Sequence, residues 1–231
     1  MESPRVGCVV DARGEVRTLW GFRANFILGE AATSGAVSAA CSDSFGLVKT
    51  GEELLVMDRA GVVVHRREAV SGTAILGFDD RGTPAFAYLH SSRQILHWEG
   101  SGWERWDVAM EQSPVAIAAQ GEHLLALVRR EDELYLLRVA SDGQSAVLAR
   151  VASSARHAVL YPSGAFVLAE EQSVVVHRAD GRQQRLDVST PVIGLHAMSS
   201  QWVRVQFEAQ SMGLLLREDD SELYLIPGDN R

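Results

Sequence analysis

The chain has 231 residues, a formal net charge of −8 and a pI near 5.4, with 46% apolar and 23% charged residues. These values are those of a globular protein with a sizeable core, and they exclude an intrinsically disordered chain. The acidic balance argues against a nucleic-acid partner, because binding a phosphate backbone requires a clustered positive surface.

The N-terminal segment MESPRVGCVVDARGEV lacks the basic and apolar regions of a signal peptide. No apolar run approaches the ~20 residues that a membrane-spanning helix needs, so we expect no membrane partner. Cys8 and Cys41 each lie in an apolar segment, which favours buried free thiols over a disulfide. Together these features predict a cytoplasmic protein.

From the N-terminus onward, the apolar segments are about five to seven residues long and rich in Val, Leu, Ile and aromatic residues. Almost none of them has the spacing of an amphipathic helix. Turns rich in Asp and Gly separate them, at 11–14, 58–61, 79–82, 141–143, 162–164 and 179–181. Asp supplies a side-chain hydrogen bond and Gly the positive φ of short hairpins, so the pattern predicts an all-β protein.

After residue 35 the chain repeats one pattern: a strand of small apolar residues, a polar turn, a bulkier strand, a charged turn, a third strand and a more polar fourth. The repeats span residues 36–69, 73–109, 114–152, 156–188 and 191–228. This pattern and period resemble the four-stranded antiparallel blade of a β-propeller. The resemblance implies that the first strands, VSAAC, AILGF, VAIAA, HAVLY and IGLHA, line a narrow central channel.

Two further segments echo each other, RREDELYLL at 129–137 and LREDDSELYLI at 216–226. Each combines an apolar strand, an acidic turn and a strand with the pair Leu-Tyr. This pattern resembles the blades of TolB-like and WD-repeat propellers. It covers one hairpin per blade and implies no functional residues.

The number of blades depends on the first 35 residues, where VGCVVDARGEVRTLW predicts a strand–turn–strand. In propellers such a segment often closes the ring by pairing with the C-terminal blade, which removes an exposed sheet edge. We therefore expect a single propeller domain over 1–231 with five blades, closed by an N-terminal hairpin within 1–35. Six blades follow if ANFILGE at 24–30 and the long last repeat add strands, and a β-sandwich ranks third.

The pentapeptide VVVHR occurs twice, at 62–66 and 174–178. The first copy follows the turn DRAG, which predicts a fourth strand, whereas the second precedes the turn ADG, which predicts a third strand. The counterpart of the second copy is then LLVMD at 54–58. His65 and His177 are therefore not expected to form a pair.

Motifs for catalysis or metal binding are absent from the sequence. The seven histidines have no zinc-type spacing, and no G-x-S-x-G segment occurs. Asp43, Asp79 and Asp80 follow inner strands, as a glycosidase would need, but they lie in turns to the second strand, on the face opposite the usual ligand face. We expect no catalytic residues, no metal and no cofactor.

Trp98, Trp103 and Trp106 crowd into one hairpin, HWEGSGWERW. Trp103 and Trp106 lie on opposite faces of a strand, because successive side chains alternate, so they cannot form one aromatic platform. We expect them to wedge between neighbouring blades.

The loops between second and third strands remain as the candidate binding surface. The residues that we select there are His90, Arg93, Arg129, Arg130 and Glu131. Their mixed charge suits a polar protein partner, so we expect a non-enzymatic interaction scaffold or a subunit of an assembly. The alternative is a propeller that binds a small ligand or a carbohydrate.

Overall fold

The computed structural model describes residues 5–11, 13–22, 25–108, 110–218 and 220–226. These residues form 23 strands and no helix. The strands make six antiparallel sheets in which neighbours along the chain are neighbours in the sheet. The molecule is a six-bladed β-propeller, which confirms the prediction of an all-β propeller fold.

The first blade has three strands and each of the other five has four. Blade 1 comprises β1 (Arg5–Val10), β2 (Val16–Phe22) and β3 (Asn25–Thr33); blade 2, β4 (Ser38–Cys41), β5 (Gly46–Lys49), β6 (Glu53–Met57) and β7 (Val63–Glu68); blade 3, β8 (Ala74–Phe78), β9 (Pro84–Leu89), β10 (Gln94–Trp98) and β11 (Trp103–Trp106). Blade 4 comprises β12 (Pro114–Gln120), β13 (His123–Arg130), β14 (Glu133–Val139) and β15 (Ser145–Ala152); blade 5, β16 (His157–Leu160), β17 (Phe166–Glu170), β18 (Ser173–His177) and β19 (Gln183–Asp187); blade 6, β20 (Gly194–Ala197), β21 (Trp202–Gln206), β22 (Ser211–Leu215) and β23 (Glu222–Leu225).

The alternating strand directions give the disc two faces. In each four-stranded blade we name the strands A to D from the channel outward. The turns between strands A and B and between C and D lie on one face, which we call the AB face. The turns between B and C and the connections between blades lie on the other, the BC face.

The core consists of six apolar clusters, one between each pair of neighbouring blades. Strand β13 illustrates how the sequence builds them. Leu124, Ala126 and Val128 pack toward blade 3, whereas the intervening Leu125 and Leu127 pack toward blade 5. Every one of these five side chains is at most 1% exposed. A strand buried on both faces needs an unbroken apolar run, which explains why the B and C strands are so apolar.

The predicted number of five blades is wrong, and the structure gives the reason. Strands β4, β8, β12, β16 and β20 line the channel, and no described residue of blade 1 does. Five repeats therefore correspond to five channel strands, while blade 1 is an additional sheet without a channel strand. Its third strand, Asn25–Thr33, contains most of the ANFILGE segment on which the six-blade alternative depended.

The predicted pairing of the N-terminal hairpin with the last blade is not observed among the described residues, since β1, β2 and β3 pair only with one another. Blade 1 instead packs against blade 6. A Cβ on Gly7, whose φ is +154°, would lie 2.0 Å from the carbonyl oxygen of Met198. Arg204, which is buried, donates a hydrogen bond from Nη1 to the carbonyl oxygen of Val10 at 2.6 Å.

On its other side blade 1 is joined to blade 2 by a disulfide between Cys8 and Cys41, whose Cα atoms are 5.9 Å apart. The prediction of two free thiols is therefore wrong. An apolar neighbourhood suits a buried thiol and a buried disulfide equally, so the local sequence does not distinguish them. The pairing depends on blade 1 packing beside β4, which is a property of the tertiary structure. Two free thiols were one reason for expecting a cytoplasmic protein, and the disulfide removes that reason.

None of the described segments forms a helix with the length and apolar character required to cross a bilayer.

The repeated segments occupy the positions that their turns predict. The first VVVHR copy lies in or next to β7, a D strand, and the second lies in or next to β18, a C strand, so the two copies are not equivalent. The similar segments RREDELYLL and LREDDSELYLI are not equivalent either. The first spans a turn between strands B and C, whereas the second spans a turn between C and D.

The tryptophans wedge between blades as predicted. Trp103 packs toward blade 2 and contacts Trp98, with ring centroids 5.3 Å apart. Trp106 packs toward blade 4 and contacts Phe86, with centroids 5.0 Å apart. The three indoles therefore form no common platform.

His177 is buried, at 6% exposure, and its ring stacks on Phe166 with centroids 4.4 Å apart. Burial lowers the pKa of His177, and the nearby Glu170 carboxylate only partly opposes this effect. The imidazole is therefore neutral in the folded protein near pH 7, and protonating it requires charging a group inside the core.

We predict that replacing both Cys8 and Cys41 with Ala lowers the free energy of unfolding by about 3–4 kcal/mol, because the bond closes a loop across a 33-residue separation. Chemical denaturation of the two proteins measures the difference. Without reductant, the unfolded wild-type protein should not react with iodoacetamide. Alkylation of both thiols in that sample would contradict the disulfide.

We predict that His177→Phe makes the protein less sensitive to acid. A histidine with a lowered pKa stabilises the fold above the unfolded value of about 6.5, and this stability is lost as the pH falls from there toward the folded value. Denaturation at a series of pH values from 8 to 5 would test this. The two proteins should have parallel profiles above about pH 7 and diverge below it; parallel profiles throughout would contradict the prediction.

Candidate functional site

The central channel forms a cavity with a volume of about 930 Å³. Its wall consists of small and branched apolar side chains from the five A strands. Representative residues are Ala39, Ile75, Val115, Ala158 and Leu195. The wall of this channel cavity is mostly apolar, because the A strands that face one another across it carry mainly Ala, Val, Ile and Leu; Ser38 and His196 are polar exceptions.

The AB-face end of the channel cavity is polar, because the A strands end there in turns. Asp43, Asp79 and Asp80 all line this mouth. Two of these carboxylates are already engaged. Asp79 accepts backbone N–H bonds from Arg81 and Thr83 within its own turn, and Asp43 accepts a hydrogen bond from the Ser200 hydroxyl at 2.5 Å. The three acidic residues thus lie at the AB-face end of the channel. The sequence analysis expected this face to be the one opposite the usual ligand face.

The channel cavity also extends between blades 5 and 6, a region that we call the side lobe. Tyr161, Val176, Arg178, Leu216 and Arg217 line it. The Tyr161 hydroxyl oxygen and the Arg178 Nη2 atom are buried and have no hydrogen-bond partner in the described structure. The other terminal nitrogen of Arg178, Nη1, donates to the carbonyl oxygen of Arg217, which fixes the guanidinium in place.

The Tyr161 hydroxyl remains protonated over the whole physiological range. Burial raises its pKa far above the usual value of 10, and the nearby Asp43 carboxylate raises it further. In the protonated state the hydroxyl is a hydrogen-bond donor. Both donor atoms therefore lie inside the packing beside the side lobe, without a hydrogen-bond partner among the described residues.

On the BC face, the structure brings Arg93 and Arg130 to one short segment, the connection between blades 3 and 4. Arg93 donates from Nη2 to the carbonyl oxygen of Glu111 at 2.8 Å. Arg130 donates from Nε to the side-chain oxygen of Gln112 at 3.2 Å. Both side chains are exposed despite these bonds. The two predicted site residues thus lie close together, on neighbouring blades.

The other residues selected from the sequence lie around this pair. Arg129 points toward the next connection and donates to the carbonyl oxygen of Ser153 at 3.2 Å. His90 contacts the ring of Tyr88 edge-on, with centroids 5.2 Å apart, and burial lowers its pKa. Glu131 is exposed at the tip of the turn between β13 and β14.

Arg93 and Glu131 share an uncommon backbone conformation. Their φ angles are +54° and +55°, and no other non-glycine residue in the described chain has a positive φ. Each lies in the turn between strands B and C of its blade. Such conformations cost about 1 kcal/mol or more for a residue with a Cβ, and they concentrate at functional sites.

The described residues contain no group of three or more His, Cys, Asp and Glu side chains that could hold a metal ion.

Sequence reasoning missed Tyr161 and Arg178. A signal for Tyr161 was present, because it ends the segment HAVLY, which predicts a channel strand, and it directly follows Leu160, the last residue of β16, where the chain turns at the mouth. Arg178 gave no such signal. It follows a C strand, and only the packing of blade 5 against blade 6 brings it to the channel cavity.

No protein-family model matches this chain, and no curated protein matches it either. Among solved structures, a chain in the crystal structure of a nidogen/laminin complex is similar, with a TM-score of 0.63 and 11% identity over 97% of this chain and 95% of that one. A streptogramin B lyase has a TM-score of 0.51 at 12% identity, over 99% and 85% of the two chains. The Pan2 WD40 domain of Neurospora crassa has a TM-score of 0.51 at 8% identity, over 97% and 79%.

These similarities establish the β-propeller fold and nothing finer. The fold occurs both in a lyase and in a protein captured as part of a complex. Function in propellers therefore depends on the residues of each face rather than on the architecture.

We predict that Tyr161→Phe does not destabilise the protein, because the hydroxyl that it removes is buried without a partner. Tyr88→Phe is the matched control, since the Tyr88 hydroxyl lies 2.9 Å from the Ser113 hydroxyl. The control should lose about 1 kcal/mol in chemical denaturation. A loss of that size in Tyr161→Phe would show that the hydroxyl has a bonding partner in solution.

Proposed function

We propose that this propeller is a non-enzymatic protein-binding module that recognises a polar partner through the BC face of blades 3 and 4. The observation that carries the proposal is the pair of left-handed residues Arg93 and Glu131, at the tips of two neighbouring BC turns. A glycine at either position would remove the conformational cost. Retaining a long charged side chain there is explained if the side chain has a role beyond the turn.

The chemistry of this patch suits a polar protein surface. Arg93, Arg130 and Glu131 are exposed, and they present both charge signs within one region. Hydrogen bonds to Glu111 and Gln112 hold the two arginines on the connection between blades. A side chain that is held before binding loses less conformational entropy in a complex. Arginine is also among the residues enriched at interface hot spots.

An enzymatic function is the weaker candidate. The Asp43 and Asp79 carboxylates at the channel mouth already accept hydrogen bonds from Ser200 and from the 79–83 turn. General acid catalysis needs a carboxyl group whose pKa is raised in a partly dry cleft. The similarity to a streptogramin B lyase is one of fold and carries no activity to this chain.

The Cys8–Cys41 disulfide supports a partner that is met in an oxidising compartment, where such bonds persist. Binding experiments are therefore best performed without reductant, on the oxidised protein.

The test is affinity capture from a native extract with the wild-type protein and with the double variant Arg93→Gly and Glu131→Gly. We expect the wild type to capture a partner in stoichiometric amount and the variant to capture about tenfold less of it, or still less. The reason is that interface residues of this type carry much of the binding energy. The same variant should be at least as stable as the wild type, since glycine accepts a positive φ without strain.

The matched control is Arg59→Gly with Glu122→Gly, which makes the same chemical change at exposed turns of the AB face. It should capture the partner as the wild type does. Equal capture by all three proteins, or loss in the control alone, would refute the proposed surface.

A further inference from the structure

We propose that the propeller opens reversibly between blades 1 and 6, with blade 1 moving as a flap that is hinged on blade 2. The contact between blades 1 and 6, which we call the seam, is the apolar cluster of Val6, Val9, Leu19, Phe26, Met198 and Ile226. The seam is separate from the proposed protein-binding surface, which lies on blades 3 and 4.

Covalent links attach blade 1 to one neighbour only. The chain passes from β3 into β4, the channel strand of blade 2, and the Cys8–Cys41 disulfide links the same two blades a second time. The sequence contains only these two cysteines, so no other disulfide can form within the chain. Blade 6 comes last in chain order, and no connecting segment joins it to blade 1. The seam can therefore open without stretching any segment between the two blades.

The apolar packing of blade 1 is smaller than that of the other blades. Among the described residues, twelve buried side chains form the cluster between blades 3 and 4, whereas six form the seam and six form the cluster between blades 1 and 2. Fewer buried apolar side chains remove less area from water and stabilise the contact less. The disulfide reinforces the contact with blade 2, so the seam is the weaker of the two contacts of blade 1.

Two contacts add to the packing of the seam. Phe26 meets the ring of Trp202 edge-on, with centroids 5.5 Å apart, and Arg204 donates to the carbonyl oxygen of Val10 at 2.6 Å. Each unit of a repeat protein is stabilised mainly by its neighbours, and local openings occur where these contacts are weakest. We therefore expect the seam to open at a lower free energy than global unfolding, while the contact with blade 2 stays closed.

The seam adjoins the channel. A pocket of about 160 Å³ lies beside it, lined by Val10 from blade 1 and by Arg204 from blade 6. Four residues line both this pocket and the channel cavity: Val37, Ser38, Ala39 and His196. A movement of blade 1 away from blade 6 thus enlarges a space that borders the channel cavity.

Three matched variants test the opening and the hinge, each with one leucine replaced by cysteine. Leu19→Cys changes the seam, Leu55→Cys the cluster between blades 1 and 2, and Leu124→Cys the cluster between blades 3 and 4. All three leucines are at most 1% exposed, so a thiol at these positions reacts only when the protein opens. The reagent is iodoacetamide without reductant, and mass spectrometry checks that Cys8 and Cys41 remain paired.

We expect Leu19→Cys to be alkylated at least about tenfold faster than the other two variants, because a local opening has a lower free energy than global unfolding. Its rate should change little at low urea concentrations, since a local opening exposes little surface. The rates of Leu55→Cys and Leu124→Cys should rise steeply with urea, because their thiols react through global unfolding. Chemical denaturation of each variant gives the global free energy of unfolding with which its rate is compared.

Equal rates in the three variants, after correction for global stability, would overturn the opening of the seam. Fast alkylation of both Leu19→Cys and Leu55→Cys would show that blade 1 separates from both neighbours, which would overturn the hinge on blade 2. If a leucine variant does not fold, Val9→Cys in the seam and Val128→Cys between blades 3 and 4 repeat the comparison with a smaller change in volume.

Discussion

The packing of each sheet between two others is the interaction on which the whole molecule depends. Along β13, successive side chains belong alternately to the clusters shared with blade 3 and with blade 5. No blade can bury both faces alone, so stability requires a closed ring. The last gap, between blades 6 and 2, is filled by a sheet of only three strands, which shares one cluster with each neighbour.

Blade 1 therefore needs attachments that the other blades do not. Among the described residues it has no channel strand, and its backbone approaches blade 6 so closely at Gly7 that no side chain fits. Arg204 reaches from blade 6 to the Val10 carbonyl, while the disulfide joins the blade to β4. A covalent bond at this position stabilises the closure by restricting the unfolded chain, in which the first blade would otherwise separate from the ring.

The sequence predicts the strands and turns that repeat along the chain, but it does not predict the features that depend on tertiary contacts. Strand alternation and Asp-Gly turns locate the A strands, the positions of the two VVVHR copies and the wedging of Trp103 and Trp106. The number of blades depended on whether 25–33 forms a strand of its own, which hydrophobic pattern alone does not determine. The disulfide, the contact of Gly7 with Met198 and the hydrogen bond from Arg178 to the Arg217 carbonyl each join segments that are remote in the chain, and no local pattern specifies such pairs.

The division of the candidate sites between the two faces follows from the same architecture. Strands A are short and mostly apolar, so apolar side chains form most of the channel wall, whereas its carboxylates lie where the chain turns. The BC turns are remote from that mouth and point outward, where charged tips such as Glu131 remain solvated. Because apolar clusters hold β8, β12 and β16 on both sides, much of the channel wall is fixed in place by the packing between blades.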